Sequence, residues 1–167
     1  MQSGTIVDSY HLSFNSYLIK PIKKGEKLYS CVYDKSGEVI VSRKPLYIIR
    51  KSCILMGTSY TAAREVSKIF FGKEKHKLPI IIAYDYGIPL VFFPILSPAS
   101  PNNIWVALHS IVNIQKADDC TLITLKDDRE IKLQVHYASF CTQYVCATML
   151  QKYGSNQRLI IQNDLLL

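Results

Sequence analysis

The feature that most constrains the fold of this chain is a change of period along it. Up to residue 42, and again over 79–135, apolar residues come in short alternating runs parted by polar turns, which is the pattern of strands. Between these stretches Ala62, Ala63, Val66, Ile69 and Phe70 recur at helical spacing, and near the C-terminus Phe140, Tyr144, Ala147 or Met149, and Leu150 do the same. The strand-like runs are 10–19, 27–33, 38–42, 46–56, 79–84, 89–95, 104–114, 121–125 and 130–135. Run 46–56 is placed among them because it is β-branched at Ile48, Ile49 and Ile54 and is closed by Gly57. Residues 34–37 and 85–88 read as hairpin turns, and 97–103 as a loop by composition. The first helix starts at a Ser59 or Thr61 cap and ends at Gly72; the second covers about 139–153 and stops at Gly154.

These elements predict an α+β fold: a curved antiparallel β-sheet or half-barrel, with a basic mid-chain helix and a C-terminal helix packed on it. Three strands followed by a helix in the last third resemble the order of a pleckstrin-homology-like half-barrel. At 167 residues the chain makes one domain, 1–167, large enough to bury a core without staples. Residues 155–167 are a short tail, either a last strand or part of a helix.

Charge carries the first functional signal. From Arg43 to Lys77 there are nine Lys or Arg against Glu65 and Glu74, or 9 − 2 = +7, while the whole chain is 20 − 13 = +7. Everything outside this window therefore sums to zero. A charge so localised draws polyanions toward one face. Within it Lys44, Arg50, Lys51, Arg64, Lys68, Lys73, Lys75 and Lys77 are candidate phosphate donors on a strand–helix–loop unit. Thr58 and Ser59 lie at a helix N-terminus, where free N–H groups suit an anion, although an ordinary cap is the better explanation when the turn is taken alone. Residues 73–77 read as a flexible basic loop able to enter a narrow, A·T-rich minor groove. Nucleic acid is the favoured partner; anionic lipid or an acidic protein shares the charge and stands as the alternative.

Other functions find little footing. The acid pairs Asp118-Asp119 and Asp127-Asp128 sit in turns, where solvated Asp is ordinary, and no nucleophile stands beside a base. His11, His76, His109 and His136 are scattered, and no Cys or His pair has zinc spacing, so neither metal nor cofactor is expected. Five cysteines without a CxxC read as free buried thiols of a cytoplasmic protein. No export signal opens the chain. The most apolar stretch, 80–96, is interrupted by Asp85, Gly87, Pro89 and Pro94, so no membrane span is expected.

An ordered series of motifs adds to this reading. Lys44-Pro-Leu-Tyr-Ile-Ile-Arg-Lys-Ser-Cys53, Gly57-Thr-Ser-Tyr60, His76-Lys-Leu-Pro-Ile80 and Phe92-Phe-Pro-Ile-Leu-Ser97 follow one another. After them come the Trp105 strand, Tyr137-Ala-Ser-Phe140 and Gln143. Over about 44–150 the chain resembles the competence transcription factor (ComK) family of Gram-positive bacteria. The resemblance implies a cytoplasmic, nucleoid-associated activator of DNA-uptake genes that binds paired A/T-rich boxes largely through the minor groove. It implies homodimers or higher homo-oligomers, RNA polymerase as a partner, and control by an adaptor of a Clp protease. The aromatic-rich tail segment linked to that adaptor is not found before Leu167, so DNA binding is the better supported part.

Overall fold

The structure, a computed structural model, describes residues 5–166, with side chains as far as Gln157. Residues 1–4, where an export signal would begin, and Leu167 lie outside the described residues. The strands are β1 (Ile6–Val7), β2 (Ser16–Lys24), β3 (Lys27–Asp34), β4 (Gly37–Val41), β5 (Ile80–Asp85), β6 (Ile88–Pro94), β7 (Trp105–Ala107), β8 (Ile111–Ala117), β9 (Cys120–Leu125) and β10 (Glu130–Leu133). The helices are α1 (Pro45–Leu55), α2 (Tyr60–Phe71) and α3 (Tyr137–Leu166), with a 3-10 turn at Leu108–Ser110.

Seven strands form one sheet in the order β1-β4-β3-β2-β7-β6-β5, antiparallel throughout except for the parallel pair β1–β4. Its side chains sort by parity, as the pleat requires. Ile19, Phe92, Trp105 and Ala107 point into one core with Ile48, Ile49, Cys53, Tyr60 and Ala63 of α1 and α2. Their neighbours Leu18, Val91, Phe93 and Val106 point into a second core with Ile123, Leu125 and Leu133 of a separate sheet, β10-β9-β8, and with Phe140, Ala147 and Leu150 of α3. The molecule is thus three-layered. The pair α1–α2 lies on one face of the large sheet; the small sheet and α3 lie on the other. β6, next to the edge strand β5 and apolar without alternation, is buried on both sides after Ile88 because both layers cover it.

The α+β class and a C-terminal helix packed on the sheet are as expected, and the hairpins at 34–37 and 85–88 form. Tyr86 and Gly87, with φ of 50° and 79°, give the second hairpin a turn of positive φ at both central residues. The single curved sheet or half-barrel is corrected to two sheets. Run 104–114 is not one strand: Ser110 Oγ donates to the Ala107 and Tyr17 carbonyls at 2.8 and 3.1 Å, and the chain turns there from one sheet into the other. Residues 10–15 are not strand either, and β2 begins at Ser16.

Two further corrections concern helices. Run 46–56 is helix as far as Leu55, with Met56 as its cap, because Pro45 opens the helix and Pro45, Ile48, Ile49, Ser52 and Cys53 bury one face at helical spacing. Gly154 does not stop α3, which continues through the tail as helix. A Cβ on Gly154 would lie 2.9 Å from both Ile81 Cδ1 and Pro89 Cγ, so the missing side chain lets α3 approach the β5–β6 hairpin.

Candidate nucleic-acid interface

The candidate cations fall on the α1–α2 layer and on the loop that leaves it. Lys44 is the extended N-cap residue of α1, without a side-chain cap bond. Arg50 and Lys51 stand exposed on the outer face of α1. The helix ends in a glycine cap: Gly57 N–H donates to Ile54 O at 3.0 Å and Thr58 N–H to Cys53 O at 3.0 Å, with Gly57 at φ 83°. Residues 56–59 then turn the chain directly into α2. Ser59 Oγ accepts from Ala62 N–H at 3.0 Å, so at Ser59 the ordinary cap is the observed role.

The face that α2 buries differs from the expected one. Tyr60, Ala63 and Ser67 are buried, while Val66 and Ile69 are exposed, Ile69 by 77 %. This rotation brings Arg64 over Tyr60. The Arg50 and Arg64 guanidinium carbons lie 5.5 and 5.8 Å from the Tyr60 ring centroid, one from each helix. Tyr60 in turn stacks edge-on against Trp105, with centroids 6.3 Å apart. Burial pushes the Tyr60 phenol up, and the Arg64 and Arg50 charges oppose that shift. A rigid aromatic post therefore fixes two guanidiniums on the open side of the layer.

Neither of these arginines meets a carboxylate among the described residues. Among the described residues the ion pairs are Lys68–Glu65 at 3.4 Å and Arg129–Asp127 at 2.6 Å. Of the candidate cations only Lys68 is so paired, and it lies on the exposed side of α2, where such a pair contributes little. The layer's positive charge is otherwise uncompensated among the described residues. Exposed Ile54, Leu55 and Met56 at the end of α1, with Val66 and Ile69, add an apolar strip beside it.

The loop over 73–77 is tied down rather than free. Gln143 of α3, itself buried, donates from Nε2 to the Lys77 and Pro94 carbonyls at 2.8 and 3.1 Å. Its Oε1 accepts from Lys75 Nζ at 3.0 Å, and Lys75 also lies over Phe71. Lys75 is thus a positioned residue whose charge survives, since its partner is neutral. Lys73 stays exposed and Lys77 half-exposed.

The remaining candidates behave as structural groups. His109 Nε2 lies 2.8 Å from the Phe14 carbonyl, and burial first, then the Lys126 charge, pushes its imidazole down to about 4. Asp118 and Asp128 occupy turn positions with φ of 52° and 70°, which Asp tolerates well. All five cysteines are free, but only Cys31 and Cys53 are buried; the other three are half-exposed, which corrects the expectation of buried thiols. No group of His, Cys, Asp or Glu among the described residues could hold a metal, and no helix there is long and apolar enough to cross a membrane.

With this geometry in place, comparison with known proteins decides the kinship. The profile of the ComK protein family matches residues 7–159, which is most of the chain. The chain belongs to the ComK family. A curated relative, a competence transcription factor from Bacillus subtilis (strain 168), is 28 % identical over 138 residues, covering 82 % of this chain and 70 % of the relative. The ComK match takes in both helices of the basic layer and both sheets. These are names of a transcription factor family, not of an enzyme family. No solved structure matches the chain significantly.

Proposed function

We propose that this chain is a competence transcription factor that binds double-stranded DNA with the α1–α2 layer and activates genes for DNA uptake. The observation that carries the reading is the set of uncompensated cations on that layer, with Arg50 and Arg64 fixed about Tyr60. Arg50, Lys51, Arg64, Lys68 and Lys73 neutralise phosphates and release counterions. Lys44 and Lys77 extend the contact at either end of the unit, Lys75 holds the loop in place, and Thr58 and Ser59 shape the turn between the helices. Family kinship supports A/T-rich boxes read largely through the minor groove, homodimers or higher homo-oligomers, and RNA polymerase and a Clp-protease adaptor as partners in the cytoplasm.

The test is binding to a duplex with two A/T-rich boxes against a G/C-rich duplex of equal length, across a salt series. Tight, salt-dependent binding that prefers the A/T boxes is expected; weak and equal binding to both overturns the reading. A second reading draws on the exposed apolar strip of Ile54, Leu55, Met56, Val66 and Ile69 among the cations, which suits anionic lipid or an acidic protein. Vesicles of anionic lipid that displace the A/T duplex from the protein would favour it.

A further inference from the structure

We propose that the hairpin of β2 and β3 is a second DNA-contacting element, an arm that reaches from the large sheet to the phosphates beside the α1–α2 layer. The proposal rests on the DNA-binding reading above. The register defines the arm. β2 pairs with β7 only at Leu18 and Ile19, and β3 pairs with β4 only from Ser30 to Asp34. From Ile22 and Tyr29 outward the two strands pair with each other alone, Ile22 with Tyr29, Lys23 with Leu28 and Lys24 with Lys27. Burial falls in step: residues 16–19 are buried, 20–22 half-buried and 23–27 exposed. At about 3.3 Å per residue the ribbon projects roughly 10 Å from Ile22 to its tip.

Such a two-stranded ribbon gains little from burial and needs another reason to project. Its tip carries Lys23, Lys24 and Lys27 against Glu26, turned by Gly25 at φ 64°, and none of the three lysines has an ion-pair partner among the described residues. Alternation along β2 puts Lys23 on the side of the sheet that carries α1 and α2, and Lys24 on the other. The root of the arm adjoins the basic layer. Ser30 Oγ donates to the Arg43 carbonyl at 2.7 Å, and Leu28 lines one cavity with Lys44 and Pro45 at the start of α1. Arm and layer therefore present one continuous positive surface. Lysines without a planar fork suit phosphate oxygens rather than base edges, so the arm adds affinity and footprint, not sequence preference.

The test compares the unsubstituted chain with a Lys23→Ala/Lys24→Ala/Lys27→Ala variant and a charge-matched control, Lys35→Ala/Lys116→Ala/Lys132→Ala, whose lysines lie away from the arm. Both variants alter exposed side chains, so thermal melting should match the parent. On the A/T duplex the arm variant should bind at least about tenfold more weakly at 0.1 M salt, with the slope of log affinity against log salt smaller by about 2–3. The loss should be equal on the G/C duplex, the protected length should shorten, and the control should bind nearly as the parent does. A folded arm variant with unchanged affinity and slope overturns the arm and leaves the layer reading standing. Equal losses in arm variant and control reduce the arm to generic charge and overturn it as well. Failure of the unsubstituted chain to bind either duplex overturns both proposals.

Discussion

His109 shows how one half-buried side chain sets a condition on the whole molecule. Its ring is wedged between Phe14 and Tyr17, with centroids 4.9 and 6.1 Å away, and Nε2 lies against the Phe14 carbonyl. Burial pushes the imidazole down from its usual 6.5 to about 4. Above pH 6.5 both folded and unfolded chains hold it neutral, and nothing is lost. As pH falls below 6.5 the unfolded chain takes up a proton that the folded chain refuses, so stability drops until about pH 4, by roughly 3 kcal/mol in total. Denaturant midpoints measured between pH 7.5 and 4 should show this decline, and His109→Gln should flatten it. An unchanged profile in that variant would assign the decline elsewhere. That His109 lacks a ligand partner is legible in the sequence, because no Cys or His stands at zinc spacing from it; its place between Phe14 and Tyr17 is not, because those residues are distant along the chain. Gly154 was not legible in the same way. A glycine late in a helix looks like a stop, and only the approach of Ile81 and Pro89 shows that it is a contact.

At the level of elements, misreadings arise where local preference and tertiary position disagree. Ile48, Ile49 and Ile54 favour a strand, yet residues Pro45–Leu55 are helix because the buried positions fall every three or four residues against the sheet. Pro45 at the start and Gly57 beyond the end were the available signals. For α2 the period was legible but its phase was not. Val66 and Ile69 look like core residues, whereas Tyr60 takes that place by reaching Trp105. The β2–β3 arm was hidden by arithmetic, since acids elsewhere in the chain cancel its lysines in any sum taken outside 43–77. Arg129 follows the Asp127-Asp128 turn in sequence, but it joins elements. Its guanidinium donates to the Asp34 and Gly37 carbonyls of the β3–β4 turn at 2.7 and 3.4 Å, and it pairs with Asp127 while lying over Tyr33. Arg129→Ala should lower stability by about 1–3 kcal/mol in urea unfolding while DNA affinity holds within twofold. A variant as stable as the parent would show that the small sheet docks without this tie.

For the molecule as a whole, the layered order separates two tasks. The small sheet and α3 close the second core and, through Gln143, hold the loop that leaves α2. That frees α1 and α2 to bury only their inner faces and to carry uncompensated charge outward. The sequence located this charge correctly as a stretch, because its cations are crowded into one window. How they divide into exposed groups, a paired Lys68 and a positioned Lys75 depends on contacts from α2, α3 and β6 that no local pattern contains. On the function proposed above, the α1–α2 face is the DNA-binding surface. The most direct measurement is affinity for the two-box A/T duplex, at several salt concentrations, of Arg50→Gln/Lys51→Gln/Arg64→Gln/Lys68→Gln beside the parent. The account predicts a loss of about a hundredfold or more at 0.1 M salt and a clearly smaller salt slope, with the circular dichroism spectrum unchanged. A folded variant that binds as tightly as the parent, with the same salt slope, would contradict it.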